Sequence, residues 1–342
     1  MVELNGKKIL VTFLMHLGDL TLTTPFIHAL RKAAPDARIT MLVDEKLKDV
    51  VLFNPYLDEV VTIDKKGRDN SILSLWACSR HLSKLDFDVL INLHPNERCS
   101  FIDAMTSVKL RTGTTHKIFK WFWDVFTPLD RSMHAADMYL DVLQQLGVQD
   151  LSSNGLEIFP GEEHFLEAEL FWQEQNITDQ DKLIGFNIGS AVPTKRWPPE
   201  RFAEVADIFA AKGYKTVFFG GPMDEEMVAE ATGYMQTRPI IATGHFAIGG
   251  LAAAMRRCCL IITNDSGPMH VAISQKVPIV AMYGPSNPKL YGPYTKDAVI
   301  VTAQPPCQGC ADGMKHSCDD LQCMSRMTVE QVVAAAEKML EK

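Results

Sequence analysis

Runs of consecutive apolar residues alternate along this chain with stretches whose apolar positions recur every three or four residues. Lys7 and Lys8 precede the run from Ile9 to Met15, which reads as a buried strand ending at the turn-prone His16-Leu17-Gly18-Asp19. Leu22, Phe26, Ala29 and Leu30 then follow helical spacing, and Pro35 marks the stop. The same reading gives a strand over 38–43, a helix over 46–53, a short strand over 60–63, a helix over 72–85 and a fully apolar strand over 88–93. The alternation restarts after residue 180. Strands are predicted over 183–188, 216–219, 239–242, 259–263 and 278–283, with helices over 199–212, 224–236, 249–256 and 268–275 between them. Continuous apolar strands between amphipathic helices predict parallel sheets covered on both faces.

The 342 residues exceed one ordinary core, since a domain averages roughly 150 residues. The expected division is an N-terminal domain over 1–165, a connecting segment over 166–181 entered by a connecting helix read from 162 to 175, and a second domain over 182–327. A last helix over 328–342 is free to pack back on the first domain. Open parallel sheets bind ligands beyond the carboxyl ends of their strands, so two such sheets facing one another predict a cleft lined by those loops.

Charge and composition remove several function classes. Lys+Arg 34 against Asp+Glu 42 gives −8, which argues against a nucleic-acid partner. No run approaches the ~18 apolar residues of a membrane span, and the N-terminal run lacks a cleavage-site pattern. The chain therefore reads as cytoplasmic, with room for peripheral contact at a membrane surface. Of eight cysteines, Cys78, Cys99, Cys258 and Cys259 lie in apolar contexts and read as buried thiols. Cys307, Cys310, Cys318 and Cys323 cluster late in the chain, where they are of a type to ligate zinc, pair or stay free.

Four loops carry candidate chemistry. Thr263-Asn-Asp-Ser-Gly-Pro-Met-His270 leaves a strand and enters a helix, with Pro268 suited to its first turn. The helix end favours a phosphate, and His270 could donate to it; alternatively, Asp265 or Ser266 is only an N-cap and His270 a partly exposed helix residue. Asn187 to Glu200 crosses a Gly189-Ser190 turn and presents Lys195 and Arg196, cations suited to a diphosphate, or else a solvated loop with Trp197 as a lid on the core. Acids 224–226 follow a Gly-Gly-Pro turn and suit ribose hydroxyls, or simply the helix dipole. In the first domain, Gly18 permits a tight turn and Asp19 is placed to take a proton from an acceptor hydroxyl; the plain alternative is an N-cap for a helix from Leu20. Residues 110–123 mix Arg111, Lys117 and Lys120 with aromatics, fitting an anionic acceptor or an aromatic helix with a basic face.

Taken in order, HLGDLTLTTPFIHALRKAAPDA at 16–37, NIGS…TKRWP at 187–198, FFGGPMDEE at 218–226 and TNDSGPMHVA…VPIVAMYGPSNP at 263–288 resemble glycosyltransferase family 9 over essentially the whole chain. The resemblance implies a GT-B fold of two Rossmann-like domains facing each other across a cleft. It also implies an inverting, metal-independent transfer of heptose from ADP-heptose to a lipopolysaccharide inner-core acceptor, at or near the cytoplasmic face of the inner membrane, with no cofactor required. By position, Asp19 resembles the catalytic base and Lys195 the cation that neutralises the leaving diphosphate. Gly18, Ser190, Glu225, Asp265, Ser266, Gly267 and His270 resemble the donor site. His16, where several members have serine, resembles the branch adding the third core heptose, and joins Arg111, Lys117 and Lys120 as an acceptor candidate. A sugar-nucleotide epimerase of the same fold, and a metal- or redox-binding protein built on the late cysteines, are the alternatives.

Overall fold

The structure is a computed structural model, describing residues 2–94, 96–114, 121–303, 310, 318 and 320–341. It divides into two compact units, Met1–Phe159 and Pro160–Lys342. In the first, β1 (Lys8–Thr12), β2 (Arg38–Asp44), β3 (Glu59–Ile63), β4 (Phe87–Asn92), β5 (Val108–Gly113) and β6 (Val125–Phe126) form one sheet in the order β3-β2-β1-β4-β5-β6. Every pairing is parallel. In the second, β7 (Leu183–Asn187), β8 (Lys215–Phe219), β9 (Ile240–Ile241), β10 (Cys258–Asn264), β11 (Ile279–Met282) and β12 (Ala298–Val301) run β12-β11-β10-β7-β8-β9, again all parallel. Counted within its own unit, each sheet has the order 3-2-1-4-5-6, and strand order reverses between the first strand and the fourth.

Burial explains why these runs are strands. β7 is buried at every position and β1 at all but Lys8, as sheets covered on both faces require. One face of the first sheet carries the helices Ile72–Ser83 and Glu97–Met105, which meet it through Leu75, Leu82, Cys99 and Ile102 around Leu10 and Leu90. Ser71 starts the former with a capping box to Ser74, and Asn96 starts the latter by accepting from Cys99 N at 2.8 Å. The second core centres on Phe186 stacked on Phe218 at 5.2 Å, with Trp197, Phe202 and Phe209 beside them.

Three expectations change. The unit boundary falls at Phe159, and the helix Glu162–Glu174 belongs to the second unit, not to a separate connector. It packs closely on the helix Ile248–Met255, because Gly249 leaves room for the His164 ring where any Cβ would collide. The final helix, Val329–Leu340, belongs to the second unit, where it packs on β10, β11, β12 and the helix Pro199–Ala211 through Val332, Ala336 and Met339. The helix read over 46–53 is a single 3-10 stretch, Glu45–Val50.

Candidate active site

The second unit gathers its polar residues where β7 and β10 diverge. Asn187, the last residue of β7, donates through Nδ2 to Thr263 Oγ1 at 3.1 Å and to Ser266 Oγ at 2.8 Å. Asn264 ties the two following loops together: its Nδ2 donates to Ile188 O at 2.7 Å and its Oδ1 accepts from Trp197 N at 3.1 Å. On this frame Lys195 Nζ pairs with Asp265 Oδ2 at 2.7 Å, both side chains being largely buried. Ser286, in the loop after β11, donates to the same carboxylate oxygen. The Tyr283 hydroxyl is pushed well above its ordinary pKa by burial, and by Asp265 nearby, and it donates to Tyr291 O at 2.8 Å.

The helix Gly267–Ser274 begins at once after this pair, with Ser266 extended at its N-cap, Pro268 in its first turn and His270 buried. Ser266 makes no side-chain cap bond; its hydroxyl meets Asn187 instead. The positive end of that helix dipole thus adjoins a lysine, a combination that favours a doubly charged anion. Ser190 donates to Asp265 O at 3.4 Å, and Arg196 Nε donates back to Ser190 O at 2.9 Å, so the arginine fastens its own loop. Trp197 is fully buried, with Nε1 donating to Met327 O at 3.1 Å. After β8, Asp224 is buried and accepts from Gly221 N at 2.9 Å, while Glu225 and Glu226 are exposed at the start of the next helix. Gly189 is required here, because a Cβ would strike the Asp224 carboxylate.

The first unit has a different arrangement between β1 and β4. Asp103, fully buried in the helix Glu97–Met105, accepts at Oδ2 from Thr12 Oγ1 at 2.9 Å, from Asn92 Nδ2 and from Cys99 Sγ at 3.8 Å. Burial raises its carboxyl to about 7, against the lowering effect of those donors. Asn92 Oδ1 accepts from His94 N at 3.0 Å and from Thr114 Oγ1 at 3.4 Å. His94 is buried beside Phe13, and burial, with Lys65 and His16 nearby, pushes its imidazole down to about 4. Above this knot a short helix, Leu17–Thr21, starts with His16 exposed at the N-cap and carries Asp19, half-buried, in its first turn. Lys65 Nζ holds the approach to that turn, donating to Leu14 O at 2.6 Å and Met15 O at 3.0 Å while paired with Asp44 at 3.1 Å.

The heptosyltransferase model of glycosyltransferase family 9 matches residues 75–318. The chain belongs to glycosyltransferase family 9. The family 9 enzyme of Veillonella parvula, whose crystal structure is known, is 53% identical to it, covers 99% of both chains and superposes with a TM-score of 0.95. Lipopolysaccharide heptosyltransferase 3 of Escherichia coli K12 is 24% identical over 341 residues, 94% of this chain and 95% of the relative. The E. coli ADP-heptose lps heptosyltransferase II shares the GT-B fold, with a TM-score of 0.81 at 21% identity over 98% of both chains. The protein is thus a glycosyltransferase, not an epimerase of the same fold.

For this transferase, the structure brings Lys195, Ser190, Asp265, Ser266, Gly267 and His270 to one end of the second sheet, with Glu225 at the carboxyl end of the adjacent β8. Gly18, Asp19 and His16 lie at the carboxyl end of β1 in the first. Asp19 is not an N-cap, since the helix already starts at Leu17. His270 is not a partly exposed residue, and Ser266 not a mere side-chain cap. Residues 108–113 form a strand, not a basic helix. Arg111 there donates to Asp103 O at 3.3 Å and Thr106 O at 2.7 Å, closing the end of the preceding helix. Lys117, Lys120 and Cys307 lie outside the described residues. Cys310 and Cys318 are half-buried, Cys323 sits in the second core, and among the described residues no three His, Cys, Asp or Glu side chains gather as metal ligands. Cys78, Cys99, Cys258 and Cys259 are shielded thiols whose pKa burial raises, Cys78 to about 11.

Asp103, Asn92, His94, Lys65 and Ser286 were not marked by the sequence. Each matters through what surrounds it. The only signal was position: Asn92 lies near the end of the strand predicted over 88–93 and His94 just after it, and Ser286 lies in the quoted 263–288 block.

Proposed function

We propose that this family 9 glycosyltransferase moves a heptose from ADP-heptose to a lipopolysaccharide core acceptor, with inversion and without a metal ion. The observation that carries the reading is the Lys195–Asp265 pair at 2.7 Å beside the start of the helix Gly267–Ser274. The names of the heptosyltransferases it resembles support the donor and acceptor classes. A diphosphate competes for Lys195 Nζ and draws it from Asp265. The freed carboxylate then accepts from hydroxyls of the sugar, with Ser286 still holding its other side. The helix end and Lys195 together supply the positive charge a leaving nucleoside diphosphate needs.

Asp19 acts as the base. It takes the proton of the acceptor hydroxyl as that oxygen bonds to the anomeric carbon, and the carbon–phosphate-oxygen bond breaks on the opposite side. Direct displacement inverts the anomeric centre, and ADP departs carrying the electron pair. Glu225, exposed at the carboxyl end of β8, is the ribose contact.

Calorimetric titration with ADP, UDP and GDP in the presence of a chelator tests this reading. ADP should bind in preference to the others, and Lys195→Ala should abolish the heat. Equal binding of all three, or binding that returns only with a divalent cation, would overturn the donor assignment.

A further inference from the structure

The helix Ile72–Ser83 has two unlike sides. Leu75, Ser79 and Leu82 are buried, while Ile72, Leu73 and Trp76 are 72%, 78% and 51% exposed. Single exposed apolar residues are ordinary, but three within five positions at one helix end make a patch. Four residues on from Trp76, the outer stripe turns basic with exposed Arg80, whose guanidinium lies 5.9 Å from the Trp76 ring, and then exposed Lys84. No Asp or Glu occurs from residue 70 to residue 85, in a chain whose net charge is −8. Lys66 and Arg68 are exposed just before the helix; Arg68 reaches Glu45 and Asp69.

The start of this helix is fastened to the edge of the sheet that bears Asp19. The loop between β3 and the helix leaves the carboxyl end of β3. Arg98 donates to Lys65 O and, at 2.7 Å, to Asn70 Oδ1 in that loop, and Lys65 in turn holds Leu14 O and Met15 O after β1.

We propose that this face docks the enzyme on an anionic lipid surface, with Leu73 and Trp76 at the boundary between headgroups and acyl chains and Arg80 and Lys84 on the phosphates. An apolar end with a tryptophan, continued by cations without acids, is the pattern that suits such a boundary. A two-fold contact with a second copy would set the basic stripe against itself, with no acid on the helix to pair it. Docked this way, the enzyme holds the carboxyl edge of its first sheet close to the surface, where a lipid-anchored acceptor would be met.

The test is co-sedimentation of the full-length protein with phosphatidylglycerol and with phosphatidylcholine vesicles, without donor or acceptor, so it stands apart from the transferase assignment. Retention on phosphatidylglycerol should weaken with salt and fall about tenfold or more in Leu73→Ser/Trp76→Ser. Arg80→Glu/Lys84→Glu should lose the preference for the anionic vesicles. Because these side chains are exposed, thermal melts of the variants should match the parent. Equal retention of the apolar variant, or no retention of the parent, would overturn the proposal. So would a dimer in sedimentation velocity that Leu73→Ser/Trp76→Ser splits, which would assign the face to a second copy.

Discussion

The two sheets share a strand order and even a device at the point where that order reverses, yet they use it for opposite ends. In the first, Thr12 and Asn92 face each other in register, and Asn92 Nδ2 lies 3.4 Å from Thr12 Oγ1. In the second, Asn187 and Thr263 are register partners with the amide donating at 3.1 Å, the two residue types having exchanged strands. What differs is the third partner. In the first unit it is the buried carboxyl of Asp103, which burial raises to about 7. In the second it is the Ser266 hydroxyl at a helix start, beside an ion pair. Topology therefore says where a ligand goes, and the third partner says what charge the site presents. One unit buries a polar knot around a carboxyl, the other sets an ion pair beside a helix start.

The most severe way to break this division is at Asp19. Asp19→Asn should lower transfer by about 10²–10⁴-fold while ADP titrates as in the parent. Turnover near the parent's would mean that the first unit does not supply the base, and the contrast would collapse. Ser286→Ala is milder. Asp265 then keeps Lys195 but loses one buried donor, so kcat should fall about tenfold, the equivalent of roughly 1.4 kcal/mol, with ADP affinity little changed. A loss confined to ADP affinity would show that Ser286 serves the nucleotide and not the sugar-facing acid.

A last expected effect is on stability and belongs to the first unit. A carboxyl raised from 3.8 to about 7 keeps its proton longer in the folded state than in the unfolded one. Its contribution is therefore full below pH 3.8 and is lost as pH rises toward about 7. Asp103→Asn does not titrate there. The melting temperature of the variant relative to the parent should climb across that window and level off above it, and His94, present in both, cancels from the difference. Parallel curves in scanning calorimetry would show that Asp103 is ionised throughout.

Strands buried on both faces were legible because nothing polar interrupts them: β1, β4, β7 and β10 all came from apolar runs. β5 was missed because Lys109 and Arg111 break its pattern on a half-buried strand nearer the sheet edge. The helix Glu97–Met105 escaped because its buried side includes Ser100 and Asp103, so no apolar stripe marks it. The same holds for the site. Lys195 and Asp265 stood out as candidates because each follows a strand and each is a type that handles phosphate or sugar. Asp103, His94 and Ser286 acquire their character only from desolvation and from neighbours many residues away, which a linear pattern does not carry.

The indole of Trp197 sets an order of events during synthesis. It stands two residues beyond Lys195, yet its Nε1 rests on Met327 O, an acceptor it shares with Arg201 Nη1 at 2.6 Å, 130 residues further along. The loop that carries Lys195 thus gains this last fastening only once residue 327 has been made. The first unit, complete by Phe159, has no such wait. A translating chain of this design can finish the half that carries Asp19 before the half that carries Lys195 gains that fastening.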